Sequence, residues 1–282
     1  MPLMLLISLA VPSVLFAPPP AWWAARGATN GATADDFAAA NIGQLKQMAS
    51  KAVDELQASL PGGAGSVLTD MVTRWRTPPD QLNPPGPPRD DFTAVNIGQL
   101  KAVAKPFYDR LIAAGYATSY PWTAPSPNDA DYSIANLGQL KQVFRFNPGL
   151  DADSNGLPDW WETKYGQSGV TAQGTAAGRL TYLQKYQLGL NPNTPDPDTD
   201  GDGIPDWWET KYGLDPFNPA DAGQQAAGGG GMTNLQHYNA GTNPNLPPPL
   251  VIGAPADWNG WTRIGRSDDL GVYGSGDRKS VV

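Results

Sequence analysis

Two twelve-residue segments of this 282-residue chain carry oxygen-bearing side chains at the same five positions. The first runs Asp151-Ala-Asp153-Ser-Asn155-Gly156-Leu157-Pro158-Asp159-Trp160-Trp161-Glu162, and the second Asp198-Thr-Asp200-Gly-Asp202-Gly203-Ile204-Pro205-Asp206-Trp207-Trp208-Glu209. Donors fall at positions 1, 3, 5, 9 and 12, with Gly at position 6. That is the spacing by which a short loop doubles back and surrounds a hard cation with oxygens. Position 7, Leu157 or Ile204, adds a backbone carbonyl, and Glu162 or Glu209 at position 12 can offer both carboxylate oxygens. The chain is therefore expected to hold calcium, about two ions, one per loop. The string Pro-Asp-Trp-Trp-Glu-Thr-Lys-Tyr-Gly recurs unchanged at 158–166 and 205–213, a period of 47.

Composition makes such a metal staple important. The chain has 32 Gly, 29 Pro and no Cys, so a single large core is not expected and disulfides cannot substitute for one. Bound metal can supply folding free energy directly. The net charge of −8 resides between Asp151 and Asp221, which hold twelve acids and four bases; the rest of the chain balances at 15 of each. Without a cation those carboxylates repel one another. No basic footprint for nucleic acid is present. His237 is the one histidine, which excludes most His-based triads and multi-His metal sites.

The loops differ from a paired EF-hand at position 8, where Pro158 and Pro205 have no N–H to share with a partner loop. Pro suits a helix start, so short helices are expected at 159–165 and 206–212, stopped by Gly166 and Gly213. One Trp of each pair is expected to cover the loop, the other to pack on the next helix. A second half-motif alternates with the first: Leu180-Thr-Tyr-Leu-Gln184-Lys185-Tyr186 with Gly189-Leu-Asn191-Pro192 parallels Met232-Thr-Asn-Leu-Gln236-His237-Tyr238 with Gly241-Thr-Asn243-Pro244. The segments before these helices lack carboxylates, and Lys185 and His237 stand where a position-12 Glu would be.

Residues 151–245 resemble bacterial thrombospondin type 3-like calcium repeats, in which acidic loops alternate with short helices ending Gly-Thr-Asn-Pro. About a third of the chain is covered. The resemblance implies Asp151, Asp153, Asn155, Asp159, Glu162, Asp198, Asp200, Asp202, Asp206 and Glu209 as ligands. It also implies a spacer or stalk in a secreted or surface protein.

The first half carries a different repeat: Asn41-Ile-Gly-Gln44-Leu45-Lys46, Asn96-Ile-Gly-Gln99-Leu100-Lys101 and Asn136-Leu-Gly-Gln139-Leu140-Lys141. Asn with Gln three residues on is a capping box, and the Leu that follows can staple against Ala40, Val95 or Ala135 before the cap. Apolar residues continue at helical spacing, so three capped amphipathic helices are expected, the second kinked at Pro106. Gly in the first turn is costly there and points to close backbone approach. Acids precede each copy: Asp35-Asp36, Asp90-Asp91, and Asp129 with Asp131. These segments resemble repeats in secreted bacterial proteins that also carry calcium loops, a resemblance that implies no activity.

Residues 3–17 are one apolar stretch, too short for a comfortable membrane span and suited to the core of a secretory signal. The last six residues, Asp277 to Val282, match a translated sequencing adapter, so a further module is expected beyond them. The expected organisation is a signal peptide at 1–25, a helical module at 30–147, a calcium-binding repeat region at 148–246, and at 247–282 a Pro linker with the truncated start of another module. The expected fold class is mostly α with irregular calcium loops: short capped helices, elongated loop repeats and little sheet. The expected function is a secreted or cell-surface structural spacer or adhesin segment, not an enzyme. Its partner is an unknown protein or cell-surface component, with no nucleic acid and no membrane span in the mature chain. Two alternatives stand beside it: the N-terminal part of a secreted enzyme whose catalytic domain is missing, and a dockerin-like docking module.

Overall fold

The computed structural model describes residues 18–28, 36–86, 89–123 and 127–246, together with the backbone of three very short strands. Residues 1–17 of the signal peptide expected at 1–25 lie outside the described residues. So does most of 247–282, save the antiparallel strands β1 (Trp261–Arg263), β2 (Val272–Gly274) and β3 (Ser280–Val281). The described chain is mostly helical with little sheet. No helix among the described residues is long and apolar enough to cross a membrane.

All three Asn–Gln capping boxes form. Asn41, Asn96 and Asn136 accept from the amides of Gln44, Gln99 and Gln139 at 2.8 Å, and each Gln side chain returns to the Asn amide. They start α2 (Ile42–Ser59), α4 (Ile97–Ala114) and α5 (Leu137–Val143). Between α2 and α4 lies α3 (Ser66–Arg76). Helix α4 runs on through Pro106 to Ala114, where Gly115 ends it in the left-handed region.

The three copies close on one another as a ring. Ala40 donates its N–H to the Ala135 carbonyl (2.9 Å), Ala135 to Val95 (2.8 Å) and Val95 back to Ala40 (2.9 Å). All three residues are fully buried, so each amide that leaves water regains a partner. An outer set repeats the order: Ile42 donates to Thr93, Ile97 to Ser133 and Leu137 to Ala38. Each lysine then reaches the acid ahead of the next copy: Lys46 to Asp91 (2.6 Å), Lys101 to Asp131 (2.5 Å) and Lys141 to Asp36 (2.5 Å). The first-turn glycines follow from this. A Cβ on Gly43, Gly98 or Gly138 would lie 3.1–3.2 Å from atoms of Asp91, Asp131 or Asp36.

Beneath the ring, Leu45, Leu56, Leu100, Phe107, Leu111 and Phe144 form the core. The helical module also begins earlier than the expected boundary at 30. Helix α1 (Ala21–Ala25) buries Trp22 and Trp23, whose indole N–H groups donate to the carbonyls of Phe146 (2.7 Å) and Phe144 (2.9 Å). Arg26 pairs with Glu55 at 2.6 Å. Trp22 and Trp23 thus join the core of the helical module.

The chain divides into two compact units, Met1–Pro195 and Asp196–Val282. The break falls between the two loop repeats. Aromatic packing ties the first repeat to the residues before it. Trp160 meets Tyr116 edge-on at 6.0 Å and donates to the Pro148 carbonyl, and the Tyr186 hydroxyl donates to the Ser59 carbonyl at the end of α2. These contacts fasten the first repeat to the helical module.

Candidate metal centre

Each loop runs into the helix its sequence predicts: α6 (Asp159–Tyr165) and α8 (Asp206–Tyr212), started after Pro158 and Pro205 and stopped at Gly166 (φ 65°) and Gly213 (φ 80°). At position 6, Gly156 (φ 89°) and Gly203 (φ 94°) take the left-handed turn that folds the loop back. Leu157 and Ile204 at position 7 are fully buried and anchor the loops in small apolar clusters, with Trp161 and Tyr186 in the first and Trp208 and Ala222 in the second. Trp161 and Trp208 each meet the tyrosine of the following helix, Tyr186 and Tyr238, at 5.8 Å. Those following helices, α7 (Tyr182–Gln187) and α9 (Asn234–Ala240), start from capping boxes at Thr181 and Thr233.

In the second loop the acids converge. Ligand atoms of Asp198, Asp200 and Asp202 lie within 4.8 Å of one another, and so do those of Asp202, Glu209 and Asp221. Glu209 is fully buried, yet neither of its carboxylate oxygens has a hydrogen-bond partner; one oxygen each of Asp200, Asp202 and Asp221 is buried in the same condition. Burial pushes the Glu209 carboxyl up to about 7, and the neighbouring charges of Asp200, Asp202, Asp221 and Asp206 push the same way. Asp202 is raised by burial and by Asp200, Asp198 and Asp221, against the hydrogen bond from the Ile204 amide. Buried anionic oxygens without donors are costly unless a cation balances them. A carboxylate-rich, all-oxygen pocket of this kind suits a hard divalent ion such as calcium.

The first loop has the same backbone and a quieter interior. The Asn155 side chain donates through Nδ2 to Glu162 (2.7 Å) and Asp153 (3.2 Å), placing N–H groups among the carboxylates. Burial raises the Glu162 carboxyl, the Asn155 hydrogen bond opposes that, and Asp153, Asp159 and Asp151 add to it. Ser154 is held at φ 58°, where the second loop has Gly201 at φ 77°.

Position 9 makes local hydrogen bonds in both loops. Asp159 accepts the Ala152 amide at 2.8 Å, and Asp206 accepts both the amide and the hydroxyl of Thr199 at 2.7 Å. These aspartates clasp the second residue of the loop. The sequence reading missed Asp221, which lies twelve residues past the end of the second loop. Its only sequence signal was membership of the acidic stretch. Neither second half-motif gathers acids. Lys185 is buried and donates to the Thr194 carbonyl at 2.9 Å, and His237 shares a 2.8 Å hydrogen bond with Thr242 through Nδ1.

Comparison with protein-family models, curated proteins and solved structures found no match.

Proposed function

We propose that residues 151–245 form two calcium-stapled repeats of the thrombospondin type 3-like kind, serving as a structural spacer or adhesin segment in a secreted or cell-surface protein. The reading gives the chain no catalytic role and an unidentified protein or surface partner. It rests on one observation above the rest: Glu209, at position 12 of the second loop, is fully buried with both carboxylate oxygens unpartnered. Calcium at about a hundred times its Kd would add about 2.7 kcal/mol per site to stability. An exterior location agrees with this, because calcium there is plentiful enough for sites of ordinary affinity.

The test is a calcium titration of the full metal-depleted chain by calorimetry, followed by tryptophan fluorescence. Two bound ions are expected, with Glu162→Ala and Glu209→Ala each removing one. A chain that takes up no calcium at millimolar concentration would refute the reading. The same titration with limited proteolysis should show residues 151–245 protected by calcium, with cleavage of the capped helices little changed.

A further inference from the structure

We propose that Asp221 is a direct calcium ligand of the second site, supplied from outside the twelve-residue loop, so that the two sites are chemically unequal; this rests on the calcium reading above. Three observations carry it. Asp206, the position-9 acid, accepts two hydrogen bonds of 2.7 Å from Thr199, so part of its charge is already shared with those donors. A carboxylate oxygen of Asp221 lies within 4.8 Å of ligand oxygens of both Asp202 and Glu209. Asp221 is also fixed in place with one oxygen to spare. Its Oδ2 accepts the Asp215 amide at 3.0 Å and its carbonyl accepts from the Asn234 side chain at 2.9 Å, while Oδ1 is buried without a partner in a residue 5% exposed. A carboxylate held this way beside the fully buried Glu209 has a free oxygen that a cation would satisfy.

The first repeat offers no equivalent. The Leu183 amide donates to the Ala172 carbonyl where the Leu235 amide donates to the Ala222 carbonyl, so Asp221 corresponds to Thr171. The second site therefore has a carboxylate that the first lacks. Its Asp202 also stands where the first has the neutral Asn155.

The experiment uses the full chain in a Glu162→Gln background, in which the second site is read alone, with calcium and then terbium as probes. Asp221→Asn keeps the shape and the acceptor for the Asp215 amide, and is expected to weaken calcium binding by about ten- to a hundred-fold. Asp221→Ala is expected to add about one water to bound terbium, read from luminescence lifetimes in H2O and D2O, because a lost ligand is replaced by solvent. Asp70→Asn, a surface acid of α3, serves as the charge control and is expected to change neither. An unchanged affinity in Asp221→Asn overturns the proposal. So does weaker binding with no added water, which would mean that Asp221 only braces the loop. If the chain with Glu162 intact binds no ion either, the calcium reading itself has failed, and that outcome is separate from the other two.

Discussion

The ring of three lysine–aspartate pairs is a built-in comparison, because the partners are chemically identical and differ in burial. Lys101 and Asp131 are 7% and 5% exposed in their side chains, against 24% and 43% for Lys46 and Asp91 and 14% and 40% for Lys141 and Asp36. Replacing Lys101 by Met leaves the Asp131 carboxylate buried without its cation, a loss of about 3–5 kcal/mol. Lys101 also sits 6.0 Å from the Trp122 ring centre, a contact that adds a little to the loss. Lys46→Met and Lys141→Met expose their partners to water, and each is expected to cost about 1 kcal/mol. For a unit of this size 1 kcal/mol moves Tm by about 2–4 °C, so Lys101→Met should melt roughly 6–20 °C below the wild type and the other two within a few degrees of it. Calorimetric melting and denaturant titration of the three full-length variants would measure this. Adding Asp131→Asn to Lys101→Met should recover much of the loss, since no charge is then left unbalanced and Asn can still accept the Asn128 amide that Asp131 accepts at 3.0 Å. Equal costs at the three positions, or a double variant no better than Lys101→Met, would refute the claim that burial sets the value of these pairs.

Three further outcomes are expected. Gly98→Ala should destabilise the ring by about 1–3 kcal/mol despite the better helix propensity of Ala, because the new Cβ would lie 3.2 Å from the Asp131 Cβ; denaturant unfolding reads the sign. Ser154→Gly should stabilise the first loop by about 0.5–1 kcal/mol by relieving a left-handed serine at φ 58°, and Gly201→Ser should cost the second loop a similar amount, both visible as shifts in melting temperature. In the metal-depleted chain, folded Glu209 holds its proton more tightly than the unfolded chain does. Its contribution is fully present below about pH 4.5 and is lost as pH rises through about 7, on the order of 3 kcal/mol. Denaturation midpoints should therefore be higher at pH 5 than at pH 8, and Glu209→Gln should flatten that difference.

What the sequence revealed is what is local. The helices after both loops, the Gly stops, the Asn–Gln capping boxes and the mostly helical class all follow from residues within a turn or two of one another. The ring did not follow, because its pairings span the module: Lys46 meets Asp91, and Lys141 returns to Asp36. Acids before each copy were visible, but nothing in the pattern says that each serves the lysine of the preceding copy. The first-turn glycines came closest, since an unfavourable residue kept at one place in three helices implies something pressed against it. Trp22 and Trp23 follow an apolar stretch and were grouped with it, although their indole N–H groups find partners more than a hundred residues away. Asp221 escaped because a twelve-residue template ends at Glu209.

The two repeats share a nine-residue string and differ in what surrounds it, which sets how much each would gain from the proposed ion. The first repeat packs Trp160 on Tyr116, lends the Tyr186 hydroxyl to Ser59 and lets Asn155 donate to Glu162, so much of its stability comes from outside its own small cluster. The second has Ile204, Trp208 and Ala222 as the buried residues of its cluster, an indole N–H on Trp207 with no acceptor, and buried carboxylate oxygens with no donors. Three buried apolar side chains contribute only several kcal/mol before the conformational entropy of ordering the loop is subtracted. A cation attracts all of the second site's converging acids at once and removes their mutual repulsion, a larger effect than any single side chain there can supply. Calcium withdrawal should therefore release the second repeat at chelator levels that leave the first still folded on its module. Hydrogen exchange at the amides of α8 and α6 would order the two events, and simultaneous loss of protection would contradict this account.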